Sequence, residues 1–262
     1  MAGSNKRMVG IKAIYIGDVQ ADGLMPDDGD LVEIGKLVYD TIEYITEENS
    51  IVDIKNQETG KVDLSLLEEE GAKKFTWATR DMQFDNLILA FGGAIVSNKY
   101  TAPTEAYNGV EKAVRFVTKA ANGIHSVVDF PRMKLNATIN GAIVENETAS
   151  IQFTGTMLIP VNASDVEQTP KYVYWKPAAP TNGVVDDTAN TFEFDYVDGF
   201  ADATLYEYTT TGAAPYSACT VNPITGLTGV IAIGDLLVRV AANATEEHVE
   251  GYDLANTEAF ST

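Results

Sequence analysis

The stretch that most constrains the fold is Lys74–Gly93, KFTWATRDMQFDNLILAFGG, because its apolar period changes partway along. As far as Arg80 the side chains alternate in polarity, which is the period of a half-buried strand, and one face carries Phe75, Trp77 and Thr79. Further on, Asp85 is placed to cap a short helix, and the Gly92-Gly93 pair offers the positive φ that ends one. The stretch predicts a strand, a capped helical turn and a glycine stop. The helical side chains predicted to pack inward are Leu87, Ile88, Leu89 and Phe91.

Runs of alternating polarity predict further strands on both sides of this stretch. The predicted strands are Val9–Ile16, Leu31–Tyr39, Val110–Ala120, Ile124–Phe130, Arg132–Ile139 and Ala149–Val161. Between Asp40 and Lys73 the chain is charged, and its short β-like pieces are Thr41–Ile45, Ile51–Ile54 and Val62–Leu67. We expect this excursion to be a hairpin or long loop that is mobile until something packs on it, because long inserts in compact domains are usually functional or disordered.

The strand Ala149–Val161 has two contrasting faces. Its apolar face, predicted to meet the core, carries Ile151, Phe153, Met157 and Ile159. Its other face is polar and uncharged, with Ser150, Gln152, Thr154 and Thr156.

A second unit is predicted after the proline-rich joint Trp175–Pro180. Its prolines lack the backbone N–H that a central strand needs, so the joint cannot continue into one. Residues 177–262 hold 13 acidic residues against the single basic Arg239, a charge asymmetry that supports a boundary there. Short strands with turns between them predict a β-sandwich, in which Phe192, Phe194 and Tyr196, and then Leu236, Val238 and Val240, face inward. The strands are Thr191–Val197, Ala203–Thr209 and Asp235–Ala241. The predicted organisation is a domain at 1–170, a linker at 171–180 and a domain at 181–262, in a mainly β fold with one short helix.

The charge excludes one class of function. The chain has 262 residues, a formal net charge of −20 and a pI near 4.3, whereas sequence-independent binding of nucleic acid needs clustered Lys and Arg. The apolar run after Lys6 and Arg7 is interrupted by Lys12, which predicts neither a signal peptide nor a membrane span. The lone Cys219 offers no disulfide framework, and synthesis and folding in cytoplasm fit this pattern.

Catalytic and metal-binding candidates are few. His125 and His248 are the only histidines and Cys219 the only thiol, and no motif supports a nucleophile that uses them. The acidic loops Asp27–Asp30 and Asp195–Asp202 fail the ligand spacing of an EF-hand. The sequence predicts no catalytic, cofactor or metal site, and a protein that is not an enzyme.

Two parts of the chain resemble known families. Residues 1–170 resemble the major tail tube protein of tailed bacteriophages, in the order of an opening strand, a charged excursion, KFTWATRDMQFDNLILAFGG, FPRMKLNATI and the closing FTGTMLIPV. From AAPTNGVVDDTANTFEF through LYEYTTTGAAPY to GDLLVRVAA, the chain resembles an immunoglobulin-like or fibronectin type III module without the antibody cysteine pair. Tail proteins of this kind often carry such a module as an outward decoration.

The resemblance implies a structural virion protein, made in the cytoplasm of a host bacterium. It implies hexameric rings, whose sheets join into a tail-tube β-barrel and stack into a tube that joins other tail proteins and lets DNA pass without binding it. If the closing strand lines the bore, Ser150, Gln152, Thr154 and Thr156 face the genome, and otherwise their face is the outer solvated surface of the sheet. The alternative is a two-domain β-sandwich surface adhesin or glycan-binding protein, which needs export.

Overall fold

The computed structural model describes residues 9–38, 41–48, 50–55, 62–69, 72–141, 149–243 and 248–260. Antiparallel strands dominate these residues, with one α-helix among them, α1 (Phe84–Phe91). The predicted mainly β fold with one short helix is therefore confirmed. The strands, in chain order, are β1 (Val9–Gly17), β2 (Val32–Glu33), β3 (Glu43–Thr46), β4 (Ser50–Lys55), β5 (Val62–Glu69), β6 (Lys73–Thr79), β7 (Ala94–Val96), β8 (Lys99–Thr101), β9 (Val110–Lys119), β10 (Ile124–Asn140), β11 (Ser150–Met157), β12 (Tyr172–Pro177), β13 (Thr181–Asp186), β14 (Thr191–Asp195), β15 (Tyr206–Thr209), β16 (Ser217–Ala218), β17 (Leu237–Val240) and β18 (Leu254–Ala255).

The chain divides into two compact units, each built from separate segments. The sheet unit comprises the described residues within 13–116 and 129–172, and the C-terminal unit comprises those within 9–12, 117–128 and 173–260. Strands β1, β9 and β10 each contribute residues to both units. The contiguous domains 1–170 and 181–262 remain predictions.

The largest sheet has the strand order β2-β1-β9-β10-β11-β6-β3, and β12 also pairs with β10. Its longest strand, β10, runs for 17 residues through Pro131. The prediction of two strands separated at this proline is wrong, because the fixed φ of proline is compatible with an extended chain. Pairing of β10 with β11 begins at Met133, two residues beyond the proline.

Residues 32–38 reach strands near both ends of this sheet. The Ile34 N–H donates to Ile14 O in β1 at 2.8 Å, while the Val38 N–H donates to Ala78 O in β6 at 2.8 Å. This sheet is therefore curled, because residues 34–38 hydrogen-bond to β1, near one end of the strand order, and to β6, near the other. The predicted strand Leu31–Tyr39 is wrong except at β2, since Lys36 has a φ of 51°, which interrupts an extended run. Tyr39 lies outside the described residues.

The charged excursion forms a hairpin, as predicted, in which β4 pairs with β5. Just before it, β3 pairs with the first half of β6, close to the predicted Thr41–Ile45. The chain leaves and re-enters the sheet at adjacent points, because the Glu47 N–H donates to Ala72 O at 2.9 Å. The mobility of the excursion remains a prediction, and residues 40, 49, 56–61, 70 and 71 lie outside the described ones.

An aromatic cluster fills the core of the sheet unit. The Trp77 ring stacks on Phe153 at a centroid distance of 5.4 Å and meets the edge of Phe116 at 5.5 Å, and Phe75 and Phe130 complete the cluster. Trp77 and Phe153 are fully buried, as their alternation predicts. The inward placement of Ile159 is wrong, because β11 ends at Met157 and Ile159 is 52% exposed. Ile139, at the end of β10, is likewise exposed.

Helix α1 differs from its prediction at its N-terminus and agrees with it at its C-terminus. Its N-cap is Gln83, which makes no side-chain capping bond, and Asp85 lies within the first turn, so the prediction of Asp85 as cap is wrong. The glycine stop is confirmed, since Gly92 has a φ of 70° and its N–H donates to Ile88 O at 2.8 Å. The four side chains predicted to pack inward are half-buried, and the buried residue is Ala90.

The C-terminal unit packs the two-stranded sheet β13-β14 and the four-stranded sheet β16-β15-β17-β18 around one core. Phe192 and Phe194 of β14 are buried, as are Leu236, Val238 and Val240 at β17, which confirms those predictions. Tyr196 is 39% exposed, so its inward prediction is wrong. The predicted strand at 203–209 begins instead with a 3-10 turn, Ala203–Leu205. Side chains outside the strands complete the core: Val197, Phe200, Ile224, Leu227, Ile231 and Phe260.

Candidate functional site

The candidate residues Ser150, Gln152, Thr154 and Thr156 lie on one face of β11. Each is half-buried, while the intervening Ile151 and Phe153 are fully buried on the opposite face. Strand β11 lies between β10 and β6, so its polar face is bordered by a strand on each side. The sheet thus presents a polar surface directly behind the aromatic core.

The strand register extends this surface across three strands. Thr154 pairs with Asn136 of β10 on one side and with Thr76 of β6 on the other, and Gln152 lies in the same way between Thr138 and Ala78. Residues directly opposite each other in an antiparallel pair project to the same face. We call the face formed by residues 134, 136, 138, 140, 150, 152, 154, 156, 74, 76 and 78 the polar face.

One row of the polar face is cationic. Thr156 pairs with Lys134 on one side and with Lys74 on the other. The Lys74 ammonium forms an ion pair with the Glu47 carboxylate, and both side chains are partly exposed, so solvent weakens this pair. The sequence shows the alternation within each strand, but it does not give the register between strands, and the two lysines were therefore missed as neighbours of Thr156.

Chemically, most of the polar face consists of hydroxyl and amide groups that both donate and accept hydrogen bonds. The Asn140 side-chain amide donates to the Gln152 side-chain oxygen across the two strands. Such groups hold water without fixing an ion. The row at Thr156 is different, because two ammonium groups flank a hydroxyl there, and that combination attracts an anion.

A groove of about 480 Å³ lies elsewhere in the sheet unit, beside α1. Its apolar lining includes Ile16, Ile34, Ile88 and Leu89, and its carboxylates are Asp18, Asp30, Glu33 and Asp85. Lys112 also lines it and pairs with Asp18 at 2.5 Å. Burial, and then the Glu33 carboxylate, raise the pKa of the Tyr15 phenol on the neighbouring strand.

A largely buried ion pair holds one wall of this groove. The Arg115 Nε and Nη2 donate to the two carboxylate oxygens of Asp129 at 2.7 and 3.0 Å. The same guanidinium pairs with Asp28, in the 3-10 turn Asp28–Asp30. Because a bidentate carboxylate fixes the plane of the guanidinium, this contact anchors the turn that carries Asp30.

The histidines and the cysteine lie in packed surroundings. The ring of His125 is buried, with Nδ1 at 2.7 Å from Thr118 O, and burial lowers the pKa of His125. His248 is buried against Phe200. Burial, and then Glu207, raise the pKa of the Cys219 thiol to about 12, which disfavours the thiolate. These surroundings explain the three side chains as packed parts of the C-terminal unit, with Cys219 in its core.

Among the residues that the structure describes, no group of three or more His, Cys, Asp or Glu side chains is arranged to hold a metal ion. Asp202, in one of the two acidic loops, accepts hydrogen bonds from the Thr204 N–H and hydroxyl, which lower the pKa of its carboxyl. No helix within the described ranges is long and apolar enough to cross a membrane.

No protein-family model matches the chain, and a search of curated proteins finds no significant match. The geometry of the polar face and the resemblance of the sequence segments are therefore the basis for a proposal.

Proposed function

We propose that this chain is a structural virion protein, the tail tube protein of a bacteriophage. In this proposal, six copies form a ring, rings stack with other tail proteins into a tube, and the genome passes through the bore. The protein is made in the host bacterial cytoplasm and ends in the virion tail. Its tail-tube domain builds the conduit, and an immunoglobulin-like module faces outward.

The observation that carries the proposal is the polar face of β10, β11 and β6. The aromatic core packs on one face of this curled sheet, so the opposite, polar face is available to line a water-filled bore. Of the side chains on that face, Ser150, Gln152, Thr154 and their neighbours Asn136 and Thr76 are neutral. The cations of this face, Lys134 and Lys74, are confined to the row at Thr156, and Lys74 is paired with Glu47. A bore lined mainly by neutral hydrogen-bonding groups stays hydrated with few phosphate contacts, and a net charge of −20 adds general repulsion.

The outward module is supported by one tyrosine. The hydroxyl of Tyr206 accepts the Val197 N–H at 2.7 Å and donates to Phe200 O at 3.0 Å, so a buried ring is tied to the backbone six and nine residues upstream. Immunoglobulin-like sandwiches use a similar tyrosine to fix a corner between strands. The two sheets around the C-terminal core fit the same kind of module.

The hairpin β4-β5 is proposed as the contact between rings. A hairpin that leaves the sheet at Glu47 and returns at Ala72 extends from the sheet rather than forming part of it. Extended strands with a charged sequence can wrap a neighbour and become ordered by it, as coupled folding and binding allows.

Negative-stain electron microscopy of the purified protein tests the proposal. We expect rings or tubes for the full chain. Replacing residues 48–71 by Asn-Gly, a two-residue turn that joins Glu47 to Ala72, should leave folded protein whose rings no longer stack. Isolated two-lobed monomers at every protein and salt concentration would instead favour the alternative, a two-domain surface adhesin or glycan-binding protein.

A further inference from the structure

We propose that the groove beside α1 binds the basic segment Lys6–Met8 of a second copy of this chain. This inference rests on the proposed self-assembly, and it adds a specific contact between copies. The groove lies wholly within the sheet unit and is distinct from the polar face, since the two share no lining residue.

The groove combines an apolar floor with an acidic rim. Ile16 and Ile34 are buried beneath it, and Val32, at its edge, is 72% exposed. Of the carboxylates that line it, Asp30, Glu33 and Asp85 are exposed at the surface. Among the described residues that line the groove, Lys112 is the one cation, and it is already paired with Asp18. A ligand that places an apolar side chain on the floor and cations at the rim satisfies both parts.

The segment Lys6-Arg7-Met8 has this composition. Two consecutive cations stand beside an unbranched thioether side chain, which adapts to irregular apolar surfaces. Arg and Lys pair with carboxylates, and Arg does so with two parallel hydrogen bonds. The chain has 38 acidic and 18 basic residues, and its other pair of adjacent cations, Lys73-Lys74, is held within strand β6.

The reach of the chain requires that the segment come from another copy. Strand β1 begins at Val9, and its other end, Gly17, lines the groove. Eight residues of strand span about 26 Å, whereas Lys6 lies three residues before Val9 and reaches roughly 10 Å from it. Because this span exceeds that reach, we assign the segment in the proposed contact to another copy.

The first experiment measures binding of the segment itself to the full-length protein. A fluorescent peptide of residues 2–10 is titrated with wild-type protein and with the double variant Asp30→Asn/Asp85→Asn, and anisotropy is recorded at low and high salt. We expect saturable, salt-sensitive binding that the double variant weakens by about tenfold, as loss of rim charges predicts. The matched control Glu193→Gln removes an exposed carboxylate of the C-terminal unit and should bind the peptide like wild type. Equal affinity for all three proteins, or no saturable binding, would overturn the inference.

The second experiment identifies the source of the segment. Full-length Asn5→Cys and full-length Val32→Cys are mixed and oxidised, and covalent dimers are measured. The native Cys219 is buried, so the introduced thiols dominate the reaction. We expect a mixed disulfide between these two variants and none when Val32→Cys is replaced by Val230→Cys, which is 81% exposed but lies in the C-terminal unit.

The outcomes separate this inference from the proposed function. Rings that form without the mixed disulfide would overturn the groove contact and leave the tube proposal intact. A mixed disulfide in a protein that forms no rings would support the contact between copies and count against the tube.

Discussion

The two compact units bury their apolar side chains in different ways. The sheet unit relies on long strands, since it holds residues 129–140 of β10 and 110–116 of β9, and on aromatic rings that stack along one face. The strands that lie wholly within the C-terminal unit, β13 to β18, have two to six residues, and much of the core there comes from side chains between them, such as Leu227 and Ile231. Strand periodicity specifies the first core. The second depends on particular backbone anchors that hold its loops over the core.

The largest expected effect is in the aromatic core of the sheet unit. Trp77→Ala should lower the free energy of unfolding by about 3–5 kcal/mol, because it removes a fully buried ring that two other rings contact. Urea unfolding followed by circular dichroism measures the loss. The remaining tryptophan, Trp175, belongs to the C-terminal unit and reports its unfolding separately.

The surface variant Ile95→Ala serves as the control, since Ile95 is 45% exposed and should change stability by less than about 0.5 kcal/mol. In Trp77→Ala, Trp175 emission and circular dichroism could change at the same urea concentration. The two units would then unfold as one, and they would differ in how their cores are built but not in their free energies of unfolding.

The next largest effect is expected at Gly123, which belongs to the C-terminal unit but lies far in sequence from its main segment, 173–262. Gly123 has a φ of +74°, a Cβ there would lie 2.1 Å from Asp198 O, and its own carbonyl accepts the Ala178 N–H at 2.8 Å. Gly123→Ala should destabilise this unit by roughly 2–5 kcal/mol through left-handed strain and overpacking. The loss is measured by urea unfolding of Gly123→Ala made together with Trp77→Phe, compared with Trp77→Phe alone, so that the emission comes from Trp175.

Gly226→Ala is the matched control, because Gly226 has nearly the same φ, +72°, with nothing near its Cβ position. It should cost only the backbone strain, about 1–2 kcal/mol. Equal losses in the two variants would show that the approach to Asp198 is unimportant, and would favour the contiguous domain boundary at 181–262 that the sequence predicts.

A smaller loss is expected when the tyrosine anchor is removed. Tyr206→Phe leaves the Val197 N–H and the Phe200 carbonyl without their partner and should cost about 1–3 kcal/mol. Burial raises the pKa of Tyr206 from 10.0 to about 12, so folding favours the protonated phenol. The resulting stability is complete below pH 10 and is lost as the pH rises from 10 toward 12.

Unfolding free energies measured between pH 9 and 12 should therefore fall less steeply for Tyr206→Phe than for wild type. Tyr196→Phe, at a position that is 39% exposed, keeps the anchor and should retain the steep fall. If Tyr206→Phe and wild type show the same alkaline slope, ionisation of Tyr206 does not contribute to alkaline unfolding.

The same contrast explains how much of the fold could be predicted from the sequence. In the sheet unit, alternation alone identified the buried Trp77 and Phe153, because a half-buried strand imposes a period of two. It failed at strand ends, where Ile159 follows the pattern but lies past the last pairing. In the C-terminal unit, Leu227 and Phe260 could not be predicted as core residues, since no periodicity marks a side chain held by a loop.

The candidate site was predictable in part for the same reason. The alternation in β11 placed Ser150, Gln152, Thr154 and Thr156 on one face, and the structure has them there. Their neighbours depend on strand order and register, which join residues far apart in the chain. The lysines that flank Thr156 come from β6 and β10, and no local pattern connects them. Whether this face lines a bore remains a prediction.

The smallest stability effect is expected on the polar face, and it carries the test of function. Thr154 lies between the neutral Asn136 and Thr76, so Thr154→Lys should change the free energy of unfolding by less than about 0.5 kcal/mol. Thr156→Lys places a third ammonium between Lys134 and Lys74, at strand spacings of about 4.8 Å, and should be the more destabilising change, by roughly 0.2–1 kcal/mol. Chemical denaturation of the two variants measures this difference.

In assembled tubes, Thr154→Lys should add one cation per copy to those of Lys134 and Lys74 and make DNA passage slower and more salt-dependent, because each ring then presents several additional phosphate contacts. Accessibility of a Thr154→Cys variant decides where the face lies. If it lines the bore, a small thiol reagent reacts and a reagent too wide for the bore does not. Equal reaction with both reagents would place the polar face on the outside of the tube, and the neutral side chains of β11 would then be a solvated surface of the sheet unit and not a channel for the genome.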